Sequence, residues 1–284
     1  MYKKFYGLIR NPFEVSPDPF FFYSTPHHCK ALLNLVHGVV HRRGFVVVSG
    51  EVGTGKTLLV RCLMEVLSKN RVASAFVYNP TISGLEFLTH VMSGLGFPPS
   101  PASTKGELLS RLNGYLMERN RKDLITALVV DEAQLLSPEL LEEIRLLTNL
   151  ETTKHKLLQI VLVGQPEFEH KLDSHQLRQL KQRVGLRCSL QPLNSAELEG
   201  YIHRRLELAG ANSHSANIFL DETMPLIQFF SGGIPRLVNT VCENSLLLGF
   251  GHKQQLITSE IVHEVATDLH LDTFSYGAVH QAHR

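Results

Sequence analysis

The sequence predicts an α/β domain built on a parallel sheet, followed by a smaller all-α domain. Three observations lead there. Short apolar, β-branched runs alternate with amphipathic stretches, the pattern of strands joined by crossover helices. The segment "GEVGTGKT" (Gly50 to Thr57) joins one such run to a helical stretch. After Pro192 the strand signal stops and only helical periodicity follows.

Taken in order, the expected strands are Phe45–Ser49, Ala73–Tyr78, Leu124–Val130, Leu158–Val163 and Leu186–Leu190. "KTLLVRCLMEVLSK" (Lys56 to Lys69) carries apolar residues at helical spacing. "STKGELLSRLNGYLMERN" sets Leu108, Leu109, Leu112 and Leu116 on one helical face. "SPELLEEIRLLTNL" opens with Ser137 as N-cap and Pro138 at the first helical position. Beyond Pro192, one helix begins at the capping pair Asn194 and Glu197, and others fall near Asp221–Phe230, Ile234–Gly249 and Thr258–His270. An α/β domain therefore precedes an all-α one, with the boundary at Pro192.

With 284 residues the chain can bury a full core. Its 28 Lys and Arg stand against 27 Asp and Glu, so a formal charge of +1 offers no net attraction to nucleic acid or anionic lipid and leaves only local patches. Cys29, Cys62, Cys188 and Cys242 are scattered without disulfide or zinc spacing and read as reduced, structural thiols. No apolar stretch approaches the roughly 18 residues of a spanning helix, and "MYKKFYGLIRNPF" lacks the apolar region of a secretion signal. The expected location is cytoplasmic, with any attachment to the inner membrane made through a partner.

The chemistry concentrates in a few motifs. In G-x-x-x-x-G-K-T, Gly50, Gly53 and Gly55 let the backbone wrap a polyphosphate, Lys56 reaches the outer phosphates and Thr57 offers a hydroxyl to Mg2+. Thr54 and Leu58 complete this nucleotide-binding stretch. "TALVVDEAQ" ends an apolar strand with two acids, at the edge where a parallel sheet presents its chemistry. Asp131 can hold the magnesium shell, and Glu132 can accept a proton from an attacking water. Two adjacent carboxylates point to hydrolysis rather than binding alone. "IVLVGQPEF" puts Gln165 just past a strand, in reach of a water or the terminal phosphate, although Gly164 and Pro166 also suit an ordinary turn. "LRQLKQRVGLR" supplies Arg178, Arg183 and Arg187, either as arginines for a transferring phosphate or as a solvated basic face. "SGGIPRLVN" starts a helix carrying Arg236 in its first turn, where it suits a γ-phosphate contact or a surface ion pair.

Together, "GEVGTGKT", "VVDEAQ", "EEIRLLTNLET", "LLQIVLVGQPEF", "LRQLKQRV" and "GGIPRLVN" resemble the AAA+ ATPases of the ExeA/GspA family, which serve bacterial general secretion and have relatives in MSHA-type pilus and exosortase systems. The resemblance runs from Met1 to His270. It implies a P-loop NTPase (AAA+) three-layer α/β/α domain at residues 31–191, a helical lid at 192–270 and a tail at 271–284. The aromatic-rich segment 1–30 would pack beside the adenine; the residues alone read it as an arm covering the core. The implied cofactors are ATP and Mg2+. Lys56 and Thr57 are assigned to phosphates and metal, Asp131 to the metal and Glu132 to the water. Gln165 matches the sensor-1 position and Arg236 the sensor-2 position. Arg183 is the better match to the arginine finger, with Arg178 its rival. Five helical positions separate these two by about 140°, so one regular helix cannot aim both at one phosphate.

Because such a finger acts on a neighbouring subunit, the resemblance implies a homo-oligomer, ring or filament, with envelope secretion or pilus assembly proteins as partners. Secretion members usually continue into a membrane helix and a peptidoglycan-binding region, whereas this sequence ends at "LHLDTFSYGAVHQAHR". Envelope insertion by the chain itself is therefore not expected. The competing functions are a nucleotide-switched, DNA-binding regulator of the transposition-target-selector type and an ATP-holding scaffold. For DNA, "HRRG" (His41 to Gly44) and "KNR" (Lys69 to Arg71) are the candidate contacts. Against the scaffold stands the intact Glu132.

Overall fold

The computed structural model describes residues 2–78, 81–98, 104–211 and 217–271, so nearly all of the expected tail lies outside the described residues. In chain order the elements are α1 (Tyr2–Phe5), α2 (Pro26–Val40), β1 (Phe45–Gly50), α3 (Lys56–Lys69), β2 (Ala73–Val77), α4 (Gly84–Gly94), α5 (Lys105–Arg121), β3 (Thr126–Val130), α6 (Pro138–Leu147), β4 (Leu158–Gly164), α7 (Pro166–Leu172), α8 (Arg178–Arg183), β5 (Val184–Leu190), α9 (Ser195–Leu208), α10 (Thr223–Ser231), α11 (Pro235–Gly251) and α12 (Ser259–Asp268). They fall into two compact units. One holds Pro26–Val52 and Lys56–Leu190; the other holds Met1–Thr25, Gly53–Gly55 and Gln191–Arg284.

The first unit is a five-stranded sheet in the order β2-β3-β4-β1-β5, every pair parallel. Parallel neighbours need long crossovers, and helices provide them. β1, β3 and β4 are buried along their whole length, which is why they read as unbroken apolar runs rather than alternating ones. Their side chains divide between two faces. Phe45 and Val47 of β1 join a core with Phe87 of α4, Leu112 of α5, Ile144 of α6 and Phe168 of α7. Val46 points the other way, onto Gly38 of α2, where any side chain would collide with it. Helices thus cover both faces, giving three layers. The capping predicted at Ser137 is present, with Pro138 opening α6.

The second unit is helical. The Asn194 and Glu197 side chains form the expected reciprocal cap of α9. Its core joins Leu198, Ile202, Ile227, Val238, Leu246 and Val262 with Tyr2, Tyr6, Leu8 and Phe13 of the N-terminal segment. A few short helices bury little apolar area, and each fully buried large side chain added by the arm contributes about 1.5–3 kcal/mol. The arm is also tied by polar contacts. Arg205, only 4% exposed, donates to the carbonyl of Pro12 and to the Tyr201 hydroxyl, both at 2.5 Å, and its guanidinium lies 4.7 Å from the centre of the Phe21 ring. The Tyr2 hydroxyl and the Asn11 amide both donate to Glu243.

Candidate nucleotide site

The strand order explains how residues distant in sequence gather. In a parallel sheet all C-terminal strand ends share one edge, and β3, β4 and β1 are consecutive. Their ends carry Asp131 and Glu132, Gln165, and the glycine-rich loop respectively. That loop runs from Gly50, the last residue of β1, to Lys56, the first of α3. Gly53 and Gly55 have φ of +86° and +98°, a left-handed conformation that only glycine adopts without strain. Thr54 between them is fully buried. Left-handed residues ahead of a helix N-terminus build an anion-binding concavity of backbone N–H groups, and the start of α3 adds its positive dipole end. At Gly53 space is a second constraint. A Cβ there would stand 2.8 Å from Cβ of Arg236 and 2.9 Å from Cγ2 of Ile234.

Lys56 is 7% exposed, and its ammonium donates to the carbonyls of Gly50 (2.6 Å) and Glu51 (2.9 Å). One residue on, the Thr57 hydroxyl donates to Oδ2 of Asp131 at 3.3 Å. Asp131 is 5% exposed, and its Oδ1 accepts the Glu132 backbone N–H at 2.9 Å. Burial, above all, pushes the Asp131 carboxyl above its ordinary value, and the Glu132 charge adds to this. The Glu132 N–H, the Thr57 hydroxyl and the Lys56 ammonium act in the opposite direction. A hydroxyl and a carboxylate so placed are hard oxygen donors of the kind Mg2+ takes.

Glu132 sits at φ 53°, ψ 40°, left-handed backbone on a residue with a side chain. Such outliers cluster at functional sites. Its Oε2 accepts from the Gln134 amide at 2.5 Å and from the Gln165 amide at 3.3 Å, while the Gln165 backbone N–H donates to Oε1 of Gln134 at 3.1 Å. Gln134 received no role from the sequence. Its one available signal was its place two residues beyond Glu132 in "VVDEAQ".

The arginines are differently placed. Arg183 ends α8 half-buried and donates to the Thr148 hydroxyl and the Asn149 amide oxygen, each at 3.3 Å. Arg178, at the start of α8, is exposed; its backbone N–H donates to the His175 carbonyl, and its side chain makes no hydrogen bond or ion pair among the described residues. Arg187 lies on β5 and pairs with Glu169 at 2.8 Å. Arg236 is exposed, and its backbone N–H donates to the Gly53 carbonyl at 3.2 Å. Leu58 is half-buried in the first turn of α3.

Residues 39–172 match a family model described as an AAA domain. General secretion pathway protein A of Aeromonas hydrophila is 38% identical over 250 residues, which is 88% of this chain; the chain spans 45% of that relative's length. Among solved structures, Cdc6p from Pyrobaculum aerophilum is similar at a TM-score of 0.67 and 19% identity, over 88% of this chain and 70% of that one. The Aeropyrum pernix ORC2 protein, solved as ADPNP-ADP complexes, gives 0.63 and 15% over 94% and 75%. At such identities the likeness is one of fold.

Proposed function

The chain belongs to the AAA+ proteins of the general secretion pathway protein A (ExeA/GspA) family, with a P-loop α/β/α domain and a smaller helical one, and from that premise we propose that it binds and hydrolyses ATP with Mg2+. One observation carries the reading: Thr57 and Asp131 meet at 3.3 Å beside Lys56 and Glu132, at the C-terminal edge of the sheet. Among the described residues no group of three or more His, Cys, Asp or Glu forms a metal cage. Mg2+ keeps few protein ligands and is shared with substrate phosphates, so Thr57 and Asp131 would hold it. When bound, the ion neutralises charge on those phosphates.

The chain's own residues divide the remaining work. Loop N–H groups and Lys56 hold the phosphates. Glu132 accepts a proton from the attacking water as its oxygen bonds to the γ-phosphorus and the bond to the β,γ-bridging oxygen breaks, so that ADP leaves. Gln165 orients the water, and Arg236, next to Gly53, reads the terminal phosphate. Arg183 of a neighbouring copy completes the site, with Arg178 as its rival, which makes the active form a homo-oligomer.

The energy released serves assembly of an envelope secretion complex; in support, the Aeromonas relative is named for the general secretion pathway. Among the described residues no helix is long and apolar enough to cross a membrane. On the proposed reading the protein works at the inner membrane, held there through a partner. Lys56→Ala tests the binding step. Titration with a fluorescent ATP analogue and Mg2+ should show affinity about 100-fold weaker or worse, since it removes a charged phosphate contact. Undiminished affinity would overturn the site assignment.

A further inference from the structure

We propose that Gln134 is a positioning residue that fixes the Glu132 carboxylate for proton acceptance; the proposal rests on the hydrolytic reading above. Glu132 needs such support because it stands on a left-handed turn just beyond the last residue of β3. Two amides converge on its Oε2, from Gln134 at 2.5 Å and from Gln165 at 3.3 Å. With one oxygen saturated, Oε1 is the atom left to take the proton.

The direction of the Gln134 amide follows from its neighbours. The backbone N–H of Gln165 can only donate, so the atom 3.1 Å from it must be the amide oxygen. The amide nitrogen then faces Glu132 and donates to its Oε2. Gln134 thereby links the end of β3 to the end of β4, across 31 residues of sequence. Room for this link comes from Gly164, where a Cβ would lie 3.2 Å from Oε1 of Gln134 and 2.9 Å from Cβ of Phe168. The backbone beneath is held as well. The Lys171 ammonium, from α7, donates to the carbonyls of Gln134 (3.1 Å) and Leu136. Each polar atom of the Gln134 side chain, together with its carbonyl, is thus committed to holding the turn and the carboxylate.

The test measures ATP turnover and nucleotide affinity in the full chain for Gln134→Leu and Gln134→Glu, each in the wild-type and Glu132→Gln backgrounds. Gln134→Glu keeps the length and the acceptor for Gln165, removes the donor to Glu132 and sets a second carboxylate against it. Both variants should lower kcat by about 10- to 100-fold, the size expected when a reacting group is misplaced by about an ångström. KM and analogue affinity should stay within about 3-fold. In the Glu132→Gln background the added Gln134 change should cost nothing further, because the group it positions is gone. Full kcat in both variants beside an inactive Glu132→Gln overturns the proposal alone, as does an equal fold-loss in both backgrounds. Full turnover in Glu132→Gln overturns the hydrolytic reading and the proposal together.

Discussion

Gly53→Ala probes the loop where two constraints coincide. The substitution asks an L-residue to hold φ +86° and puts its methyl 2.8 Å and 2.9 Å from side-chain carbons of Arg236 and Ile234. Left-handed backbone costs about 1–2 kcal/mol, and forcing a methyl into filled space about 1–3 kcal/mol more. Gly96 separates these contributions. Its φ is +92°, yet nothing lies within 4 Å of a Cβ built there. Gly96→Ala should therefore show the backbone cost alone, about 1–2 kcal/mol in chemical denaturation, with nucleotide affinity unchanged. Gly53→Ala should distort the phosphate cradle. If about 2 kcal/mol of its cost falls on the binding-ready loop, Kd for a fluorescent ATP analogue rises about 30-fold. Binding within about 3-fold of wild type, or equal stability losses at both glycines, would refute the account of the loop.

Asp131 gives a pH signature in the nucleotide-free protein. Its carboxyl is pushed above the ordinary 3.8, chiefly by burial, so the folded state holds that proton more tightly than the unfolded one. Stability should then fall as pH rises from 3.8 through the raised value, and the ionisation cost persists above it. Asp131→Asn, followed by thermal unfolding in a chelator across this window, should remove that slope, be at least as stable as wild type at neutral pH and lose Mg2+-dependent turnover. A variant that keeps the wild-type slope would contradict the assignment. For the shared site, Arg183→Ala should be nearly inactive while binding ATP normally, and mixing it with Lys56→Ala should restore turnover. An arginine supplied in trans raises turnover by about 10³-fold or more. No loss in Arg183→Ala, or no rescue where the wild-type chain assembles, would remove it as the finger; the same behaviour in Arg178→Ala would transfer the role there.

All five strands were legible because buried parallel strands are compact β-branched runs, and their ends shifted for local reasons. β3 begins at Thr126 rather than Leu124. β5 starts two residues early, at Val184, because Gly185 lets the chain lie against the Arg43 carbonyl, 3.1 Å from where its Cβ would be. The helix α2 has no clear signal in the sequence. Its Gly38 and paired valines weaken the helical signal, yet the glycine is what admits Val46 of β1. The short α7 and α8 offer too few turns for periodicity to register. At the site, the loop and the Asp131–Glu132 pair are contiguous in sequence and so could be read from it. The Gln134–Gln165 bond joins residues from two strand ends, and only the pairing of β3 with β4 brings them together. The burial of the N-terminal arm against helices far along the chain was likewise beyond any local pattern.

On the proposed function, Glu132 is what separates ATP hydrolysis from mere ATP holding. The most direct measurement is phosphate release by Glu132→Gln at saturating Mg2+ and ATP, alongside titration of the same preparation with a fluorescent ATP analogue. Affinity should match that of the wild-type chain, because Lys56 and the loop contact the ground-state phosphates, while turnover should fall by about 100-fold or more, the usual contribution of general base catalysis. Turnover equal to that of the wild-type chain, with binding intact, would contradict the hydrolytic reading.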